Sequence, residues 1–353
     1  MKRRLVGSFL TLALFALCVT VQAQDKCQIV RHNGDIIRNA VISDMTKDEI
    51  KAAIAGGTEK IPVGDVKKIV FSGEPAEMDE ARGYIEDSRF EDAIDVLKNI
   101  DPDQLNEFMK MERDFLIVRA MAGRAFAGSM AISDVLKSMD KYFSDKANQN
   151  FYRFYEVTEI YGNLNTLIGT DEALSKAGKA YGMLSKAKDA PILKARGLIG
   201  SGNIFLLKKD AASATKDFKE VLTMVKNQEL EGVKAEMQVA ASCGLARAAV
   251  LEGKNAEATQ MIQKIFTDNI ITAEDPLNAQ LYNALGFAQL SAKKPKDAAI
   301  SYMHTHLLYN SNKQFHVEAL DAMINIFRVE LRDETRAAEL EGVKAARYGA
   351  KKK

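Results

Sequence analysis

Residues 281–302 read LYNALGFAQLSAKKPKDAAISY, with small residues (Ala284, Gly286 and Ala288, then Ala298 and Ala299) set among bulky ones on both sides of a lysine-rich break. Small side chains recurring along a helix leave room for a second helix to approach closely. The stretch therefore predicts two helices packed on each other, with a break at Lys293-Lys294-Pro295 and with Ala298 and Tyr302 sharing a face four residues apart.

The same arrangement recurs upstream. Ala214 and Phe218 follow Lys208-Lys209-Asp210, Ala258 and Ile262 follow Gly253-Lys254-Asn255, and Ala173 and Ala177 follow Gly169-Thr170-Asp171. The alanines at 173, 214, 258 and 298 are 41, 44 and 40 residues apart, and Ala93, with Leu97, precedes Ala173 by 80, two such periods. A weaker copy fills the gap, with Ala131 and Val135 after an apolar helix carrying Phe115, Val118 and Ala122. Ser88 and Glu91 are spaced as a capping box at the start of the helix that holds Ala93. Pro102, Pro191, Pro276 and Pro295 are the only prolines between Met78 and Tyr348, so long helices fit between them. Self-similarity at this period predicts a mainly α chain of stacked helical hairpins, each needing its neighbour to bury an apolar stripe.

Tyr282, Leu285, Gly286, Ala298 and Tyr302, and likewise Gly202, Phe205, Ala214 and Phe218, have the spacing of tetratricopeptide repeats, and the region resembles that family in degenerate form. The chain departs from the family in lacking Trp and the closing Pro of each unit, and its period of about 40 exceeds 34; HEAT-like repeats are the alternative. The resemblance implies a solenoid whose first helices line a concave surface suited to an extended peptide or a partner helix. Carried onto this chain, the groove positions are Arg196, Asn203, Arg247, Asn283 and Phe287. The Lys and Asn pair with which chaperone-binding relatives clamp a terminal carboxylate is not complete in any unit.

The N-terminal part reads differently. Lys2, Arg3 and Arg4 precede an uncharged run from Leu5 to Val21, and Val21-Gln22-Ala23 supplies small residues for cleavage after Ala23, the pattern of a signal peptide over residues 1–23. The alternative is an uncleaved anchor. Leu17 before Cys18 is too large for a lipoprotein signal. Export to a periplasmic or extracellular space is expected, with no later membrane span.

Residues 24–73 carry strand signals: Gln28–Arg31 and Ile36–Ile42 around His32-Asn33-Gly34-Asp35, an Asn-Gly hairpin with positive φ at both turn positions, then Glu49–Ala55, turned by Gly56-Gly57 into Lys60–Val63, and last Val66–Phe71. About five short strands make a small β module resembling SH3-like or Sm-like folds. Eight basic against seven acidic residues and a single aromatic, Phe71, exclude the basic, stacking groove that nucleic acid requires. Ile61-Pro62-Val63, Asp65-Val66, Ile69-Val70-Phe71 and the junction at Pro75 and Ala81 resemble uncharacterised secreted bacterial repeat proteins.

Chemistry is hard to find. The whole chain carries 49 basic and 48 acidic residues, so no global field selects a partner. There is no His-Glu-x-x-His, paired Cys-x-x-Cys or P-loop. Gly200-Ser201-Gly202 has no preceding strand and reads as close helix packing. His304 and His306 lie about 200° apart on one helix and cannot grip one ion together. Ser138-x-x-Lys141 and Ser213-x-x-Lys216 lack the companion motifs of acyl enzymes. Cys243, inside a helical pattern, reads as a buried free thiol, and a bridge between Cys27 and Cys243 is the alternative.

The expectation is a signal peptide, the β module, helical repeats over 76–327, and a capping helix with a basic tail over 328–353. The function expected is non-catalytic binding or scaffolding of a protein or peptide partner, without nucleic acid, cofactor or metal. The alternative is an extracellular polymer hydrolase or lyase, which would show two acids in opposed environments within one pocket.

Overall fold

The computed structural model describes residues 26–272 and 276–348. The signal segment, its cleavage site and the Lys351-Lys352-Lys353 tail lie outside them. β1 (Lys26–Arg31), β2 (Ile36–Met45), β3 (Glu49–Ile54), β4 (Gly57–Pro62) and β5 (Val66–Phe71) form one antiparallel sheet in the order β4-β3-β2-β1-β5. A 3₁₀ turn, Val63–Asp65, carries the chain from one edge to the other. Alternation buries Cys27 and Ile29, Ile50 and Ala52, and Ile69 and Phe71 on one face. The first hairpin is closed differently from expectation: only Gly34 takes a positive φ, +94°. The Asn33 side chain accepts from the Asp35 N–H at 3.0 Å instead, and this Asx turn leaves Asn33 in ordinary backbone space.

Fifteen helices follow among the described residues: α1 (Ala76–Glu86), α2 (Phe90–Asn99), α3 (Glu107–Phe126), α4 (Ile132–Ser144), α5 (Lys146–Gln149), α6 (Phe154–Ile168), α7 (Asp171–Ser185), α8 (Pro191–Leu207), α9 (Ala211–Lys226), α10 (Lys234–Leu251), α11 (Asn255–Thr267), α12 (Asn278–Ser291), α13 (Pro295–Leu308), α14 (Lys313–Asn325) and α15 (Glu334–Tyr348). Pro191 and Pro295 occupy first helical positions, where no hydrogen bond is lost. From α6 onward each helix packs on the next, as do α1 to α5, and α6, α8, α10, α12 and α14 also pack on one another in series. The result is a solenoid-like array in which these helices share one face.

One turn closes most hairpins. After α8, the Asp210 N–H donates to Phe205 O and the Lys209 N–H to Leu206 O, with Lys209 at φ +59°. The same pair of bonds follows α1, α3, α10 and α12, with Ser88, Gly128, Gly253 and Lys293 in the left-handed position. Ser88 is therefore a helix-ending residue, and the expected capping box with Glu91 does not form; Arg89 precedes α2 without a side-chain cap.

The repeated alanines do what their spacing predicts. Ala93, Ala173, Ala214, Ala258 and Ala298 are all buried, as are Ala284, Gly286 and Ala288 of the opening stretch. Ala131 is the exception: it is exposed just ahead of α4, and Val135 with Met139 supplies the buried stripe of that weaker copy. The glycines meet aromatic rings. A Cβ on Gly200 would stand 2.3 Å from Tyr181, one on Gly202 2.7 Å from Phe218, and one on Gly286 2.7 Å from Tyr302. Gly200-Ser201-Gly202 is thus a packing device in the middle of α8.

The sheet is fastened to the array by a buried polar knot. Glu112 of α3 accepts from Tyr152 Oη at 2.8 Å and from Arg153 Nε and Nη2 at 3.2 and 2.9 Å. Arg153 Nη1 donates to Lys67 O and the Ile69 N–H donates to Tyr152 Oη, so β5 hangs on the same two side chains. Both charges are withdrawn from water, which is tolerable only because each is bonded several times. Cys27 and Cys243 are both buried and free, with no bridge between them.

Candidate binding groove

The shared face of α6, α8, α10, α12 and α14 holds a groove of about 720 Å³. Residues four and seven apart on each helix line it: Ile199 and Asn203 on α8, Gly244, Arg247 and Leu251 on α10, Gln280 and Phe287 on α12. Leu167, Leu207 and Leu251, each at or next to the last residue of its helix, are 49%, 56% and 42% exposed, and Phe287 is 36% exposed. An aliphatic residue left in water at the same place in three successive hairpins makes a continuous apolar border. The far wall is α14, through Gln314, Phe315 and Glu318. The array curls far enough that a Cβ on Gly128, after α3, would lie 3.6 Å from the Lys313 ammonium of α14.

Three of the five residues expected in a groove line this one. Asn203 is exposed and Phe287 half-exposed within it. Arg247 is there too, bonded to Glu318 at 2.8 Å, so its guanidinium spans from α10 to α14 and meets an internal carboxylate. Asn283 lies beneath the surface: fully buried, it donates to Phe315 O at 2.9 Å and Glu318 Oε2 at 3.1 Å and holds α14 in place. Arg196 lies elsewhere. It is on the same stripe of α8 as Ile199 and Asn203, but near the helix start, where the β module approaches, and it pairs with Glu159 at 3.2 Å. Glu318, Leu167, Leu207 and Leu251 belong to the groove and are not among the expected residues; a bulky apolar residue directly before each hairpin turn was the available signal.

A second cleft of about 340 Å³ lies where the sheet meets the array, bordered by His32, Lys67, Arg119, Glu156, Arg196 and Glu236. Burial lowers the His32 pKa to about 4, with Arg196, Lys67 and Arg153 adding to the effect. Two glutamates one turn apart on α6 differ. Burial opposes ionisation of Glu156, but Arg153 and Arg119 outweigh it and hold its carboxyl below the usual range, whereas burial pushes Glu159 up despite Arg196. Both carboxyls are engaged, Glu156 with Arg153 at 2.7 Å and Glu159 with Arg196.

Among the described residues no three His, Cys, Asp or Glu side chains gather as a metal site. His304 Nδ1 donates to Ile300 O at 2.8 Å and its ring stacks on Tyr282, while His306 turns the other way to His316. No helix of the described residues is long and apolar enough to cross a membrane. No protein-family model matches the chain, and no curated protein is similar enough to match it.

Proposed function

We propose that this chain is an exported, non-catalytic interaction protein, a degenerate tetratricopeptide array that holds an extended segment or helix of a partner protein in the groove of α6, α8, α10, α12 and α14. The supporting observation is the apolar border of Leu167, Leu207, Leu251 and Phe287, left exposed beside polar groups able to bond a backbone, Asn203 and Gln280. Such a surface gains free energy when covered, at roughly 25 cal/mol per Å² of apolar area removed from water. The glycine-to-aromatic contacts between paired helices favour tetratricopeptide over HEAT-like repeats. The test is recovery of the partner from the cell envelope with tagged protein. Leu207→Asp and Phe287→Asp abolish recovery without lowering the melting temperature, and Ile300→Asp on the outer helix α13 leaves it intact. Equal recovery by all three overturns the reading.

A polymer hydrolase or lyase is the second reading, supported by the opposed environments of Glu156 and Glu159 beside the junction cleft. Against it stand the arginines that occupy both carboxylates. Hydrolysis of envelope polysaccharide that Glu159→Gln eliminates would establish it.

A further inference from the structure

The last helices carry a chain of three titratable groups, of which the middle one is buried. His306 Nδ1 of α13 and His316 Nε2 of α14 are 2.7 Å apart with rings stacked, and His316 Nδ1 lies 2.5 Å from Tyr348 Oη of α15. His316 is fully buried. Two neutral imidazoles satisfy both contacts, with one hydrogen between His306 Nδ1 and His316 Nε2 and one between His316 Nδ1 and Tyr348 Oη, whereas protonation of both rings sets two N–H groups against each other across the first contact. The surrounding charges are cations. Arg347 of α15 bonds to Asn310 O and Oδ1, beside His306, and Lys313 of α14 stands over the Tyr348 ring at 5.0 Å. The carboxylates of this corner are engaged elsewhere, Asp321 with Lys344 and Glu318 with Arg247. A proton added to either imidazole therefore meets like charge and no free acid.

We propose that α15 is held on the array by an acid-sensitive clasp, His306–His316–Tyr348, and that protonation of both histidines releases this helix from α14. Only Ala337 of α15 is fully buried, so the helix has a small apolar anchor and the clasp is a large share of its attachment. The sign follows from burial: both imidazoles are held below the ordinary value, His316 at about 4, and Arg347 adds to the effect. Docking is complete above the free value of 6.5 and weakens as pH falls toward 4, by up to about tenfold per pH unit for each proton taken up. The remaining ties are the ion pairs of Arg328 with Glu334 and Glu341 and of Lys344 with Asp321, which involve no imidazole, and Arg328 holds the Glu341 carboxyl below its usual range.

The chain has no tryptophan, so Leu340→Trp, at a half-buried position of α15, gives one local reporter in the full-length protein. Its emission is expected to shift red between pH 6.5 and 4, reversibly, while far-ultraviolet dichroism changes little. In His306→Asn/His316→Asn the shift moves below pH 4 or is present at every pH. Imidazole ¹⁵N resonances of the native chain supply a reading that needs no clasp variant: His306 and His316 must titrate together with the emission change. Constant emission from pH 7 to 4, or a shift that does not coincide with titration of those two rings, overturns the proposal.

Discussion

Phe218 of α9 lies between Gly202 of α8 and Gly244 of α10, so close that a Cβ on the two glycines would fall 2.7 and 2.3 Å from its ring. The ring cannot retreat from one helix without striking the other. This single residue sets the spacing of three successive helices, and Tyr181 does the same between Gly162 on α6 and Gly200 on α8.

Gly202→Ala should destabilise the array by about 1–3 kcal/mol through overpacking, and Phe218→Ala by about 3–5 kcal/mol through the cavity it leaves. Phe218→Leu should recover part of the Gly202→Ala loss. Urea unfolding of the two single variants and the double variant measures the coupling, and strict additivity would show that the glycine and the ring do not meet.

Glu112→Gln should cost about 3–5 kcal/mol, since it leaves Arg153 buried with its main acceptor weakened and unfastens β5 from the array. Exchange of the Ile69 amide, bonded to Tyr152, should quicken in step. A variant as stable as the native chain would show that the knot contributes nothing to joining the sheet.

Lys209 and Lys293 hold left-handed backbone at φ +59° and +61° in the hairpin turns. Glycine relieves that strain, so Lys209→Gly and Lys293→Gly should each raise stability by up to about 1 kcal/mol, less the entropy glycine loses on folding. Thermal melts of the two variants check the sign, and a lower melting temperature would contradict the turn assignment.

His32 is half-buried, and desolvation lowers its pKa to about 4. Its contribution is intact above pH 6.5 and turns against folding as pH falls below it, by up to about 1.4 kcal/mol per pH unit. His32→Asn should flatten the stability profile between pH 6.5 and 4 by that slope, read from urea midpoints at half-unit intervals. An unchanged profile would place His32 in water.

The helical hairpins were legible because each is a local event: an apolar stripe, a turn and a second stripe within about forty residues, marked by an alanine with an apolar or aromatic residue four later. Ala214 with Phe218 and Ala298 with Tyr302 carry that signal directly. The strands of the β module were legible for the same reason, through alternation and the glycines at 34, 56 and 57. The turns were misread where backbone conformation outweighed residue type, as at Ser88, which has a capping side chain but sits in a left-handed turn. The groove was legible in part. Its stripe on each helix follows from helical spacing, so Asn203, Arg247 and Phe287 fall within it. Its far wall depends on how the array curls, which brings Glu318 to Arg247 across 71 residues and is written in no local pattern. Arg196 was misplaced because nothing in the array's own periodicity shows that the β module covers the start of α8.

The inner face of the first helices is the working surface in this account, and photo-cross-linking tests that most directly. A benzophenone side chain at Leu251, on the apolar border, should yield one discrete adduct with a second protein in the native envelope, and the same group at Ile300 on the outer face should yield none. An adduct from position 300 alone, or the same adduct from both positions, would contradict it.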